Sequence, residues 1–351
     1  MNSAIAFCFG PVIIYWSGIV IACGVFAGFL LAYSLYTAHS GRGSDMWILF
    51  AFAMILGVFF SRLLHVLSNP EQYKNLPRAF FDGSQGSFWL PGAVLALVPA
   101  AVLAKRFGAG ASPAELLDAA APGAALAVAF IRFSALFTNA CRSVFSISSP
   151  AFQHYPFAAP APYTDASGDI VWHFASFFVM AVAMLFVTVA LVAFYIRCHG
   201  EKTKMPCSRS GNIARISLAV YCAVEFVIDS TRSDASPVHF LLLRVLNRWF
   251  AASVRLTQLF AVISLILVMW YYTRCSGAAN GVQKKQKLLC VLFACALIGC
   301  ILTEVLLRRA DAYLPLYIAQ AFCAALAVTA VWLQYRSCRD DAPEDSDEPL
   351  Y

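Results

Sequence analysis

Apolar residues run through this chain in long blocks instead of alternating with polar ones. Blocks able to cross a bilayer, which takes about 20 apolar residues, occur at 11–36, 46–67, 87–104, 114–138, 172–196, 212–230, 255–273, 288–307 and 313–335. They predict an all-α, polytopic membrane bundle of about nine transmembrane helices. The block at 212–230 is the least apolar because it carries Glu225 and Asp229. The block at 114–138 contains Pro122 and Gly123, which a bundle tolerates where neighbouring helices re-satisfy the backbone. Run length excludes a transmembrane barrel, whose strands alternate and are only about 10 residues long. The first 36 residues lack a basic leader and run past signal-peptide length, so they read as a retained first span.

Composition agrees with the blocks. A chain that is 61% hydrophobic and 13% charged puts its length into spans, not into a water-soluble core. Cations in the connections set the orientation. With the N-terminus outside, Lys105, Arg106, Arg197, Lys202, Lys204, Lys284, Lys285 and Lys287 fall inside, and inside cations outnumber outside ones. The C-terminus is then inside, and the long connections at 139–171 and 231–254 are outside, which predicts an outer working face. The net charge of +6 is spread over loops with no dense basic cluster, so nucleic acid is not an expected partner. Twelve cysteines contain no C-x-x-C and no metal-ligand spacing. Cys290, Cys295 and Cys300 recur every fifth residue, which spreads them around a helix as packing residues. No metal and no cofactor are expected.

Without internal repeats, the chain divides into a membrane core at 1–274, two appended spans at 275–335 and an acidic tail at 336–351.

Ionisable residues inside or bordering such spans are costly and are the first candidates for function. Arg132 closes an apolar run in Phe130-Ile131-Arg132-Phe133, just before the polar Asn139-Ala140-Cys141-Arg142. Two roles fit it: a guanidinium fork that holds a phosphate at headgroup depth, or an arginine that snorkels to the interface. Arg62, in Ser61-Arg62-Leu63-Leu64-His65, invites the same pair of readings, with the anchor favoured. Glu225 and Asp229 lie four apart on one helical face, and Asp229 and Arg232 can pair at i, i+3. Two acids on one face call for a cation, and Arg132 or Arg62 can supply it. His173, at the outer start of the fifth span, is either a general base or a hydrogen-bonded packing residue. A different class of function, a small transporter, would string Glu225, Asp229 and Glu304 into a proton or cation path.

Taken in order, several stretches resemble the prolipoprotein diacylglyceryl transferase family. Pro11-Val12-Ile13-Ile14-Tyr15-Trp16-Ser17-Gly18 through Ala22-Cys23-Gly24 resembles its first span, and Ser61-Arg62-Leu63-Leu64-His65 with Asn69-Pro70-Glu71 its second span and loop. The spacing from Leu117-Asp118 through Pro122 to Arg132 is similar to the family's signature arginine segment. Glu225-Phe226-Val227-Ile228-Asp229-Ser230-Thr231-Arg232 and Leu256-Thr257-Gln258-Leu259 fall where the family has its acid–arginine series and a Ser-Gln pair. The likeness covers about residues 10–273. It implies an inner-membrane enzyme that moves the diacylglyceryl group of phosphatidylglycerol to the thiol of a lipobox cysteine in a prolipoprotein. It also implies Arg132, Arg62, Asn139 and Gln258 as substrate contacts, with His173, Glu225, Asp229 and Arg232 as the catalytic set. The chain departs from the family where Phe88-Trp89-Leu90-Pro91-Gly92 replaces a His-Gly-Gly motif and where Glu225 stands for an arginine. A binder that kept the fold without the chemistry is the alternative.

Overall fold

The structure is a computed structural model that describes residues 5–10, 12–40, 42–68, 88–138, 142–164, 168–199, 210–232, 255–280, 284–307 and 313–340. Strands β1 (Ile5–Phe9) and β2 (Val12–Tyr15) form an antiparallel hairpin, turned at Gly10, whose φ of 58° suits glycine. Helices follow as α1 (Trp16–Ser40), α2 (Gly43–Ser68), α3 (Leu90–Arg106) and α4 (Pro113–Phe133). Strands β3 (Ala158–Thr164) and β4 (Ile170–Phe174) form a second antiparallel hairpin. The remaining helices are α5 (Ser176–His199), α6 (Asn212–Thr231), α7 (Leu256–Asn280), α8 (Lys284–Leu307) and α9 (Tyr313–Asp340).

The nine helices found among the described residues match the nine apolar blocks, and seven of them are long and apolar enough to cross a membrane. The two others are α3, with 17 residues, and α6, which carries the buried acids. Two block starts need correction. The first span opens at Trp16 and not at 11, and the fifth at Ser176 and not at 172, because the preceding residues pair as strands. Val12-Ile13-Ile14-Tyr15 and Ile170-Val171-Trp172-His173-Phe174 are β-branched and aromatic, a composition that fits a strand once a partner lies beside it.

Small residues bring the helices together. Gly28 of α1 faces Gly123 of α4 so closely that a Cβ on either would collide with the other's carbonyl oxygen. Buried Ala119, Ala120, Ala121, Ala125 and Ala129 keep α4 thin on its other sides as well. Gly92 of α3 likewise sits on the backbone of Phe60 and Ser61 of α2. One apolar core runs through the bundle and includes Phe293 and Cys300 of α8 and Ala327 and Val331 of α9, so the last two helices are packed onto the rest. Helix α9 makes this contact against α6 and α7. Cys300 is buried while Cys295 is exposed, as their five-residue spacing around α8 requires.

At one end of the bundle, carboxylates tie helix starts to their neighbours. Asp118 of α4 accepts the N–H groups of Gly211 (2.5 Å) and Ala214 (2.8 Å), satisfying donors at the N-terminus of α6 that have no partner within that helix. Asp45 accepts from Tyr36 (2.9 Å), Gly110 (3.1 Å) and Ala111 (3.2 Å), joining α1, α2 and the α3–α4 turn. Ser112 and Glu115 close a capping box on α4. These contacts fix the axial position of α4 and α6, the helices that carry Arg132 and Glu225 to the opposite end.

Candidate functional site

Helix α4 delivers Arg132 in its last turn, and α6 delivers Glu225 beside it. The two side chains form a hydrogen-bonded ion pair, with side-chain exposures of 8% and 1%. Of the two cations the sequence offers to Glu225, the fold therefore brings Arg132. Among the described residues, nothing hydrogen-bonds to the second oxygen of Glu225, Oε2, which is buried, and one turn earlier the hydroxyl of Tyr221 is in the same condition. Buried polar atoms are ordinarily satisfied, so these two groups keep hydrogen-bonding capacity to spare.

One turn beyond Glu225, Asp229 is held from both sides. Arg232 pairs with it at 3.2 Å, the i, i+3 contact expected from the sequence, and the Thr257 hydroxyl of α7 donates to its other oxygen. Gln258, also on α7, donates to the Ser230 hydroxyl at 3.3 Å. Both acids are 1% exposed.

The C-terminal carbonyls of α6, which no helical N–H can reach, are each satisfied. Ile228 accepts from the Thr231 hydroxyl at 2.7 Å, Asp229 from the Arg255 guanidinium, Ser230 from the Tyr317 hydroxyl at 3.1 Å, and Thr231 from the Val144 N–H at 2.8 Å. Arg255 reaches the Arg232 carbonyl as well, at 3.1 Å. A guanidinium at this position also meets the negative end of the helix dipole. Three other segments, those carrying Val144, Arg255 and Tyr317, thus hold the turn that carries Asp229 and Arg232.

The strip 142–147 runs between α6 and the second hairpin. Ser143 bridges to Arg232, and Ser146 to His173. Ser143 donates to the Phe174 carbonyl (3.2 Å), Ile147 to Trp172 (2.7 Å), and Phe174 back to Phe145 (2.9 Å). His173 is thereby placed one strand away from the end of α6, buried, with its backbone also paired to Ala159. Arg142, buried at the start of the strip, adds another guanidinium to this end.

Arg62 is buried in the α2–α3 layer, 6.0 Å from the Phe88 ring centre, beside Ser61, whose hydroxyl donates to the Trp89 carbonyl at 2.7 Å. Its burial goes against the expectation of a snorkelling anchor. Glu304 of α8 accepts from Gln320 of α9 at 3.1 Å. Asn139 lies outside the described residues. The structure therefore joins Arg132, Glu225, Asp229, Arg232 and Gln258 around α6, and sets His173 in the adjoining strand and Arg62 in a neighbouring helix layer. Sequence reasoning gave no place in the site to Arg255, Thr257, Tyr221 or Tyr317. Arg255 opens an apolar span next to Thr257-Gln258, a signal open to that reading, whereas nothing local marks Tyr317.

This arrangement defines a polytopic helical membrane protein with a buried arginine–carboxylate cluster at one end of its bundle. A family-level profile described as prolipoprotein diacylglyceryl transferase matches residues 4–274. The phosphatidylglycerol–prolipoprotein diacylglyceryl transferase of Dehalococcoides mccartyi (strain ATCC BAA-2100 / JCM 16839 / KCTC 5957 / BAV1) is 28% identical over 162 residues, 45% of this chain and 60% of that protein. The enzyme of the same name from Paenarthrobacter aurescens (strain TC1) is 26% identical over 279 residues, 77% of this chain and 83% of the relative. That of Bacillus cereus (strain B4264) is 32% identical over 126 residues, 35% of this chain and 46% of the relative. The match to the Dehalococcoides proteins spans 60% of their length. The chain belongs to the prolipoprotein diacylglyceryl transferase family. Helices α8 and α9 lie beyond the matched region.

Proposed function

We propose that this protein transfers the diacylglyceryl group of phosphatidylglycerol to the thiol of a lipobox cysteine in a prolipoprotein, at the outer face of the plasma membrane, with its N-terminus outside and C-terminus inside. The observation that carries this reading is the buried pairing of Arg132 with Glu225, one turn from the Asp229–Arg232 pair, which sets two guanidinium groups and their carboxylates at one end of the bundle, where an anionic headgroup can share them. Loop cations at the opposite end support the orientation.

In the reaction, the cysteine sulfur forms a bond to the glyceryl carbon that bears the phosphate ester. The carbon–oxygen bond breaks, its electron pair leaves on the phosphate oxygen, and glycerol phosphate departs. Arg132 and Arg232 take the charge that grows on that phosphate, the preorganised stabilisation that contributes most to such steps. Asp229, fixed by Thr257, aims Arg232, and Gln258 holds the adjacent Ser230. When the phosphate shares Arg132, Glu225 is released to accept the thiol proton at Oε2, so a carboxylate does the work of a base. His173, in the neighbouring strand, helps to place the peptide, and Arg62 lines the lipid's side. The core at 1–274 carries this chemistry.

The test is expression in a strain depleted of its own transferase, followed by mass spectrometry of a reporter lipoprotein. A diacylglyceryl adduct on the lipobox cysteine is expected. A well-expressed protein that leaves the cysteine unmodified ends the enzyme reading. One observation favours the alternative of a lipid binder without chemistry, namely that Glu225 already neutralises Arg132. That alternative predicts phosphatidylglycerol co-purifying with the protein and no transfer.

A further inference from the structure

We infer that the α8–α9 hairpin, although outside the family's matched region, is a working part of the site through Tyr317, a positioning residue for the last turn of α6. The Tyr317 hydroxyl donates to the Ser230 carbonyl at 3.1 Å, between Asp229 and Thr231. Its ring meets Phe145 edge-on, with centroids 5.1 Å apart. Phe145 belongs to the strip that bridges to Arg232 at Ser143 and accepts from Phe174. One side chain of α9 therefore touches both segments that border Arg232, by a polar contact on one and an aromatic contact on the other.

Helix α9 is itself anchored at this level. Gln320, one turn after Tyr317, is fully buried, donates to Glu304 of α8 at 3.1 Å, and offers its carbonyl to Cys300. The second hydrogen bond closes α8 onto α9 a turn below the site. Without Tyr317 the Ser230 carbonyl would be left without its partner where water is scarce. The turn that carries Asp229 and Arg232 would then be held by one contact fewer. A small misplacement of a charge-stabilising group costs rate more than it costs binding.

The catalytic readout of this role rests on the transferase reading, so the test carries a second readout that does not. Tyr317→Phe keeps the ring against Phe145 and removes only the hydroxyl. In nanodiscs containing phosphatidylglycerol, with a lipobox peptide as acceptor, kcat should fall about tenfold while KM for the lipid stays within about twofold. Hydrogen exchange should accelerate about tenfold at the amides of residues 228–232 and Val144, with other helices unchanged. Wild-type kcat in Tyr317→Phe overturns the inference. If the wild-type protein shows no transfer, the transferase reading has failed on its own account and exchange alone decides. Faster exchange confined to those amides then supports the hairpin's role, and unchanged exchange overturns it.

Discussion

Arg132 and Glu225 stand 93 positions apart in the sequence and form one buried ion pair that joins α4 to α6. Breaking such a pair leaves one charge uncompensated, while replacing both partners by apolar residues removes the problem. Arg132→Met and Glu225→Met should each destabilise the protein by about 3–5 kcal/mol, and the double substitution should recover most of that loss. Thermal unfolding of the purified protein in detergent measures the cycle. Lipid analysis of the same samples should show less bound phosphatidylglycerol in the double variant despite its restored stability.

Thr257 supplies a hydroxyl to Asp229, so Thr257→Val leaves a fully buried carboxylate short of one donor at nearly constant volume. The expected cost is about 1–3 kcal/mol, together with a fall in transfer rate as Arg232 loses its fixed partner. Melting temperature and initial rates check the two effects separately.

Asp118 acts far from the arginine cluster yet sets the height of α6. Asp118→Ala should destabilise by about 1–2 kcal/mol, as the loss of a helix N-cap does, because Gly211 and Ala214 lose their acceptor. Asp118→Asn keeps one acceptor oxygen and should cost less. Unfolding curves of the two variants give the order.

Gly123→Ala should separate α1 from α4, because the new Cβ would meet the Gly28 carbonyl. A loss of about 1–3 kcal/mol is expected from overpacking, and Gly18→Ala, where nothing lies within 4 Å, serves as the neutral comparison. Melting temperatures of the two variants provide the measurement.

Much of the fold is legible in the sequence, since length and apolarity of a block suffice to place a membrane helix. Residues 5–9 and 12–15 and residues 170–174 escape that logic, because a short apolar run joined to a span has the same composition as the span itself. Within the site, the relation of Asp229 to Arg232 follows from helical spacing alone. The partners that come from other helices do not. Arg132 reaches Glu225, and Thr257, Arg255 and Tyr317 reach the turn after it, only through packing decided by small residues elsewhere, such as Gly28 against Gly123. Tyr317, 87 positions from the carbonyl it contacts, lies almost as far along the chain as Arg132 does from Glu225.

On the transferase reading, the Arg132–Glu225 pair serves transfer from phosphatidylglycerol to a thiol. The most direct measurement is release of glycerol phosphate by purified protein given phosphatidylglycerol and a lipobox peptide, compared among wild type, Glu225→Gln and His173→Ala. Release matched mole for mole by thioether on the peptide is expected, with a drop of about 100-fold or more in Glu225→Gln and a smaller loss in His173→Ala. Wild-type rates in Glu225→Gln, or no release from well-folded wild-type protein, would contradict that reading.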